Sequence, residues 1–266
     1  MTELKNTQAQ KSLNVLLIGD SCIDEYKLGT VDRLSPEAPV PVIKINDTTT
    51  VPGMAANVYL NLEQLGIEAD FITNDAVIKK TRYIDKRSGQ HLIRVDDEPN
   101  IVPWSGRIHL SPIGSYDAII ISDYNKGFLT YEHIENIIKL AKCPVFIDTK
   151  KQDLSRFSAD NVYVKINELE YNNRFSIPKN LIVTLGERGS MLKQLGNEDK
   201  TYKTMQVEVS DVCGAGDTFL AALTYQYLLT KNIKIAIMFA NTAASITVQH
   251  RGNYAPHFDE IRHAGY

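Results

Sequence analysis

Five short apolar runs, each closing on a polar residue, limit what this chain can fold into. They are "NVLLIGDS" (Asn14–Ser21), "YDAIIISDY" (Tyr116–Tyr124), "CPVFIDTK" (Cys143–Lys150), "NVYVKIN" (Asn161–Asn167) and "LIVTLG" (Leu181–Gly186). Runs of this length, rich in Val and Ile, read as strands covered on both faces, because a solvated face would show polar residues at every second position. Helical spacing fills several intervals. "AANVYLNLEQLG" ends on a glycine stop, "TYEHIENIIKLAK" is amphipathic, and "GAGDTFLAALTYQYLLT" and "IKIAIMFANTAASITVQH" read as two closing helices. Strands alternating with helices predict an α/β fold with a mostly parallel sheet covered on both sides. Such sheets hold ligands beyond the carboxyl ends of their strands, so Asp20, Asp123, Asp148 and Asn167 are expected to line one crevice.

Other segments have a different pattern. "PVPVIKIND" alternates and carries Pro39 and Pro41, which suits an edge strand. "EADFIT" is a short strand. "TRYIDKRSGQHLIRVD" (Thr81–Asp96) holds two alternating runs around Ser88-Gly89, a hairpin signal. The polar stretch 1–12 reads as a loose tail and 13–266 as one domain. A formal net charge of −3 gives no electrostatic case for nucleic acid or an anionic membrane. No apolar run approaches the length of a membrane span. Cys22, Cys143 and Cys213 are scattered without paired spacing, which argues against a disulfide framework or zinc site and fits a cytoplasmic protein.

"SDVCGAGDTFLAAL" (Ser210–Leu223) concentrates the chemistry. Gly214, Ala215 and Gly216 precede a helix, whose first N–H groups are unpaired and lie at the positive end of its dipole. With no bulky side chain in the way, those groups suit an anion, and phosphate above all. Asp217 beside that hole would repel phosphate unless it has another task, such as taking the proton of an attacking hydroxyl. Taken alone, the same residues also fit a tight turn and a helix-cap acid.

The wider sequence resembles the ribokinase-like (PfkB) sugar kinases. "DVCGAGDTFLAAL" resembles their C-terminal signature and "PGMAANVYLNLEQLG" their N-terminal one. "TLGERGS" (Thr184–Ser190) is similar to their nucleotide turn, "VKINELE" (Val164–Glu170) to their Asn-x-x-Glu element, and "FANTAAS" to the helix flanking adenine. Within the family, "RLSPEAPVPV" (Arg33–Val42), "HLIRVD", "ISDYNKGFL" and "FIDTK" resemble the branch that phosphorylates heptose 7-phosphate at C1 on the way to ADP-heptose of lipopolysaccharide. The resemblance runs from about Asn14 to Gly252. Several residues depart from it. Met54 stands where the signature has a second glycine, Cys213 replaces a Thr, and only "NDAVIKK" separates "EADFIT" from "TRYID". Lys165, two residues before Asn167, is more like the phosphofructokinase branch. The nucleotidyltransferase sequence often fused to the heptose kinase is not among these 266 residues.

The resemblance implies a ribokinase-like three-layer fold with a small β lid built from about 25–52 and 81–96, and a homodimer formed through that lid. It implies ATP and Mg²⁺ as cofactors, with K⁺ as a further cation. It makes Asp217 the catalytic base and Gly214, Ala215 and Gly216 the anion hole. It gives Asn167, Glu168, Glu170, Thr184, Gly186, Gly189 and Asn241 to the nucleotide, with Glu170 near Mg²⁺ through water and Asp211 beside a monovalent cation. Asp24, Gly53 and Asn57 would grip the sugar, with Asp123 at the same crevice. Arg33, Arg82, Arg94 and Lys126 are the basic residues that could hold its existing phosphate. As a capping pair at a helix start, Asn167 and Glu170 are the less favoured reading here. Two alternatives stay open at this point: a kinase for another sugar or sugar phosphate, and a non-catalytic sugar or nucleotide sensor on the same scaffold.

Overall fold

The computed structural model describes residues 13–107 and 112–265, so the 1–12 stretch lies outside the described residues. In chain order the strands are β1 (Val15–Gly19), β2 (Ser21–Leu34), β3 (Pro41–Met54), β4 (Ala69–Thr73), β5 (Ile78–Asp85) and β6 (His91–Asp97), then β7 (Ala118–Asp123), β8 (Val145–Thr149), β9 (Val162–Asn167), β10 (Asn180–Thr184), β11 (Ser190–Gln194) and β12 (Lys200–Tyr202). The helices are α1 (Ala55–Gln64), α2 (Tyr131–Leu140), α3 (Glu168–Asn173), α4 (Ala215–Thr230), α5 (Ile233–Thr247) and α6 (Phe258–His263).

The five apolar runs become β1, β7, β8, β9 and β10, adjacent members of an eight-stranded sheet ordered β12-β11-β10-β9-β8-β7-β1-β4. From β4 to β10 every pairing is parallel. Their residues alternate between two cores. Val15, Leu17, Ile120 and Phe146 face α1, α4 and α5, while Leu16, Ile18, Ile119 and Ile147 face α2 and Phe157. A one-residue slip would exchange the cores, and each large aliphatic group so buried contributes about 1.5–3 kcal/mol. The sheet order turns back at β1, with β4 on one side and β7 on the other, which opens a crevice at the strands' carboxyl ends.

A second, four-stranded sheet is ordered β3-β2-β5-β6, with β3 on its edge as its prolines require. It contains the hairpin expected at Thr81–Asp96 as β5 and β6, paired antiparallel. Five elements were not legible in the pattern. β2 leaves β1 after the single residue Asp20 and runs as a long mixed strand; β11 and β12 are short, polar additions that pair antiparallel at the edge of the main sheet. α3 and α6 are short helices, each begun by a capping box. Among the described residues, no helix is long and apolar enough to cross a membrane.

Candidate active site

α4 begins where the small residues predict it. Gly214 is its N-cap in the left-handed region, φ 76. A Cβ at Gly214 would lie 2.8 Å from the Asn57 amide nitrogen, and one at Gly216 would lie 2.9 Å from the Lys165 ammonium. Neighbouring side chains thus approach both glycines closely, and a buried cation stands against the helix end. The positive dipole end of α4 and the Lys165 ammonium together suit an anion.

Asp217 occupies the first turn of α4 and is 4% exposed. Asn57 Nδ2 donates to its Oδ2 at 2.9 Å, and the Tyr124 hydroxyl donates to its Oδ1 at 2.8 Å. Burial pushes the Asp217 carboxyl up to about 6, against the pull of those two donors. For an acid raised in the fold, the native state keeps a proton that the unfolded chain releases. The associated stability is complete below the ordinary carboxylate range and is lost as pH rises through about 6. Activity runs the other way, because a base must be ionised: kcat/KM is expected to climb from acid pH and level off above about pH 6–7. A pH–rate profile checks this, and a flat profile from pH 5 to 8 counts against Asp217 as the titrating base.

The carboxyl ends of the central strands supply the remaining wall. Lys165 on β9 donates to Asp148 Oδ2 on β8 at 2.7 Å, and both are buried. Burial alone would lower the Lys165 pKa, but the neighbouring Asp148 carboxylate more than offsets it and the net shift is upward. The other Asp148 oxygen is buried with no hydrogen-bond partner. A cavity of about 530 Å³ brings Tyr124, Asp148, Lys165, Glu168, Gly214 and Asp217 together, with Asn167, Thr184 and Gly216 also on its wall. A neighbouring pocket of about 230 Å³ shares Thr184, Gly186 and Gly216 with it and adds Gly189 and Asn241 beside apolar Val209 and Val248.

Several expected residues have other partners. Asn167 and Glu170 do form a capping box at the start of α3, the reading set aside above. Glu170 N–H donates to Asn167 Oδ1 at 2.9 Å, and Asn167 N–H to Glu170 Oε2 at 2.8 Å. Glu170 also pairs with Lys150, and Glu168 with Arg188. Asn241 donates to the Tyr202 carbonyl at 3.0 Å, tying α5 to β12. Asp211 accepts the backbone N–H groups of Cys213 and Gly252, each at 3.0 Å. Burial opposes them, yet they hold its carboxyl below the usual range. Asp123 is sealed in a buried pair with Lys151 and accepts from Thr149, so it holds β7 to β8 and does not reach the Asp217 cavity.

On the small-sheet side, Asp24 and Arg82 form a buried ion pair at 2.5 Å, with Asn253 donating to Asp24 at 3.3 Å. Gly53 is required there, since its Cβ would fall 2.1 Å from Asp24 Oδ2. Arg82 is therefore committed to Asp24, Arg94 to Asp96 and Lys126 to Glu98, while Arg33 lies near the exposed end of β2. Met54 adopts φ 57 and ψ −132, a conformation that suits glycine and costs a larger residue about 1–3 kcal/mol. Its side chain packs with Cys22, Ile78, Ile101 and Tyr124, which offsets part of that cost. Tyr124 and Lys150 are wall residues that sequence reasoning missed. The Tyr directly after the strand-end acid of β7 was the available signal.

The sequence profile of the pfkB family carbohydrate kinases matches residues 86–260. The bifunctional protein HldE of Nitratiruptor sp. is 32% identical over an alignment 304 positions long, covering 93% of this chain and 64% of the relative. The chain thus spans under two thirds of that relative's length. Among solved structures, ribokinase of Arabidopsis thaliana complexed with ribose and ATP superimposes with a TM-score of 0.71 at 15% identity, covering 95% of this chain and 98% of the other. Phosphofructokinase-2 of Escherichia coli in complex with potassium gives 0.68 at 15%, covering 94% and 97%. The fold is ribokinase-like. The chain belongs to the pfkB family of carbohydrate kinases.

Proposed function

We propose that this protein is an ATP- and Mg²⁺-dependent sugar-phosphate kinase that phosphorylates heptose 7-phosphate at C1. The observation that carries the kinase chemistry is Asp217, buried and held by Asn57 and Tyr124 beside the N-terminal end of α4. Similarity to the bifunctional HldE supports the heptose. Each Asp217 oxygen has a second lone pair for the acceptor hydroxyl. As the hydroxyl oxygen bonds to the γ-phosphorus, its proton passes to Asp217, and the bond to the departing ADP breaks. Above about pH 6 Asp217 then returns the proton to solvent. The α4 N–H groups and Lys165 face the charge on the transferred group. The apolar pocket beside Asn241 suits a nucleotide base.

The unpartnered Asp148 oxygen and the Glu168 carboxylate on the cavity wall suit a hydrated Mg²⁺. When bound, that ion neutralises phosphate charge. Asp211 shapes the 211–213 turn through backbone N–H groups, so K⁺ would meet the carbonyls of that turn rather than the carboxylate. The four-stranded sheet serves as a lid that excludes water on closure, and its exposed Leu34, Ile93 and Val95 suit pairing with a second copy.

The test is ADP release with heptose 7-phosphate, free heptose, fructose 6-phosphate and ribose. The expected result is the highest kcat/KM with heptose 7-phosphate. Preference for a free sugar discards the heptose-phosphate reading and keeps the kinase. No turnover with any acceptor, alongside measurable sugar or nucleotide binding, favours a sensor.

A further inference from the structure

Of the cations expected to hold the acceptor's phosphate, Arg82, Arg94 and Lys126 are paired and Arg33 lies near the exposed end of β2, while one that the sequence did not single out has no ion pair among the described residues. Register partners in a sheet share a face. Asp24 lies opposite Lys80 and Tyr26 opposite Arg82 across β2 and β5. Arg82 lies opposite Arg94 and Lys80 opposite Asp96 across β5 and β6. One face of the small sheet thus carries the acids Asp24 and Asp96 beside the bases Lys80, Arg82 and Arg94, with Asp47 further along β3 opposite Leu28. The other face carries Glu25 with Lys79 and Thr81. Arg82 pairs with Asp24 at 2.5 Å and Arg94 with Asp96 at 2.8 Å. Lys80 is left over. Among the described residues it has no ion pair or hydrogen bond, and its ammonium lies over the Tyr124 ring, 5.7 Å from the centroid.

That position is beside the base, since the hydroxyl of the ring it covers is 2.8 Å from Asp217. The buried Cys22 thiol feels both the Lys80 and the Asp217 charges, which places Lys80 within electrostatic reach of the reacting centre. Lys150 also lies over Tyr124, at 5.3 Å, but Glu170 neutralises it. A half-buried ammonium with no counter-ion, set over the ring of a residue that lines the Asp217 cavity, calls for an anion. Contact with the ring alone supplies only a weak attraction.

We propose that Lys80 binds the phosphate monoester of the acceptor sugar and sets the preference for phosphorylated over neutral sugars. This rests on the sugar-phosphate kinase reading and deepens it. Lysine suits the task as a mobile point charge, whereas Arg82 is held in a fixed pair and forms the wall behind it.

The experiment is titration calorimetry without nucleotide, using heptose 7-phosphate and fructose 6-phosphate against the free sugars, on wild type, Lys80→Gln, Lys80→Arg and the outward-facing control Lys79→Gln. Lys80→Gln is expected to weaken binding of the phosphorylated sugars about ten- to a hundredfold, the worth of one hydrogen bond to a charged group. Free sugars should bind unchanged, Lys80→Arg should recover most of the loss, and Lys79→Gln should behave as wild type. Unchanged binding of the phosphorylated sugars by Lys80→Gln overturns the assignment. So does a wild type with no preference for them, failure to bind them included. ADP release separates the two ideas. A Lys80-dependent preference without turnover sinks the kinase reading alone, and turnover with a preference indifferent to Lys80 sinks only this one.

Discussion

Asp217→Asn is expected to fold, to bind nucleotide, and to lose phosphoryl transfer by roughly two to four orders of magnitude, the range typical for removal of a general base. The replacement keeps the volume of the side chain and one acceptor oxygen, so either Asn57 or Tyr124 can still donate to it. What it removes is the ionisable group. Stability should move in the opposite direction from activity. With its pKa raised from 3.8 to about 6, the wild-type carboxylate costs the fold about 3 kcal/mol above pH 6, at 1.36 kcal/mol per unit. The Asn variant escapes that cost, less the penalty of one donor now facing another. Its melting temperature at pH 8 should therefore equal or exceed that of wild type, and the difference should shrink towards pH 4. ADP-release kinetics and melting curves at several pH values check both parts. Near-normal turnover would remove Asp217 from the role of base.

The main sheet was legible because its signal is local. Val15 to Gly19 and Ala118 to Ile121 are apolar at consecutive positions, and no exposed strand or surface helix reads that way. The start of α4 was legible for the same reason, since small residues before an acid sit next to one another in the chain. What escaped the sequence is pairing across long separations. Arg82 looks like a ligand for phosphate until Asp24 appears beside it, 58 residues away in sequence. Asp123 looks like a crevice acid until Lys151 closes on it. Lys80 has the opposite history: it sits in an ordinary strand and becomes notable only when its neighbours are seen to be matched. Asn167 and Glu170 show a further limit, because the spacing that marks a nucleotide element also makes a capping box, and both sets of hydrogen bonds use the same atoms. β11 and β12 were missed because short, polar edge strands carry little hydrophobic pattern.

Gly216→Val should abolish turnover, and the structure adds a second cause to the one visible in the sequence. The first is the anion hole. A branched side chain in the first turn of α4 stands between the N–H groups and a phosphoryl group, and losing even one such donor costs about a hundred- to a thousandfold. The second is Lys165. The new Cβ would lie 2.9 Å from its ammonium, so the lysine must swing away, and its 2.7 Å pair with Asp148 is lost or weakened. Asp148 already has one buried oxygen without a partner, so a displaced Lys165 leaves a buried carboxylate poorly compensated. If the pair breaks outright the loss is about 3–5 kcal/mol; if the flexible lysine stem only bends, it is far smaller. At roughly 2–4 °C per kcal/mol for a chain of this size, melting should fall by a few degrees or more. Gly216→Ala separates the causes. Its single methyl displaces only the tip of the lysine, so the melting temperature should stay close to wild type while kcat still drops at least tenfold. Full activity in Gly216→Ala, or a valine variant that melts lower yet turns over normally, would mean that the phosphoryl group is held elsewhere and that this loop is only a turn.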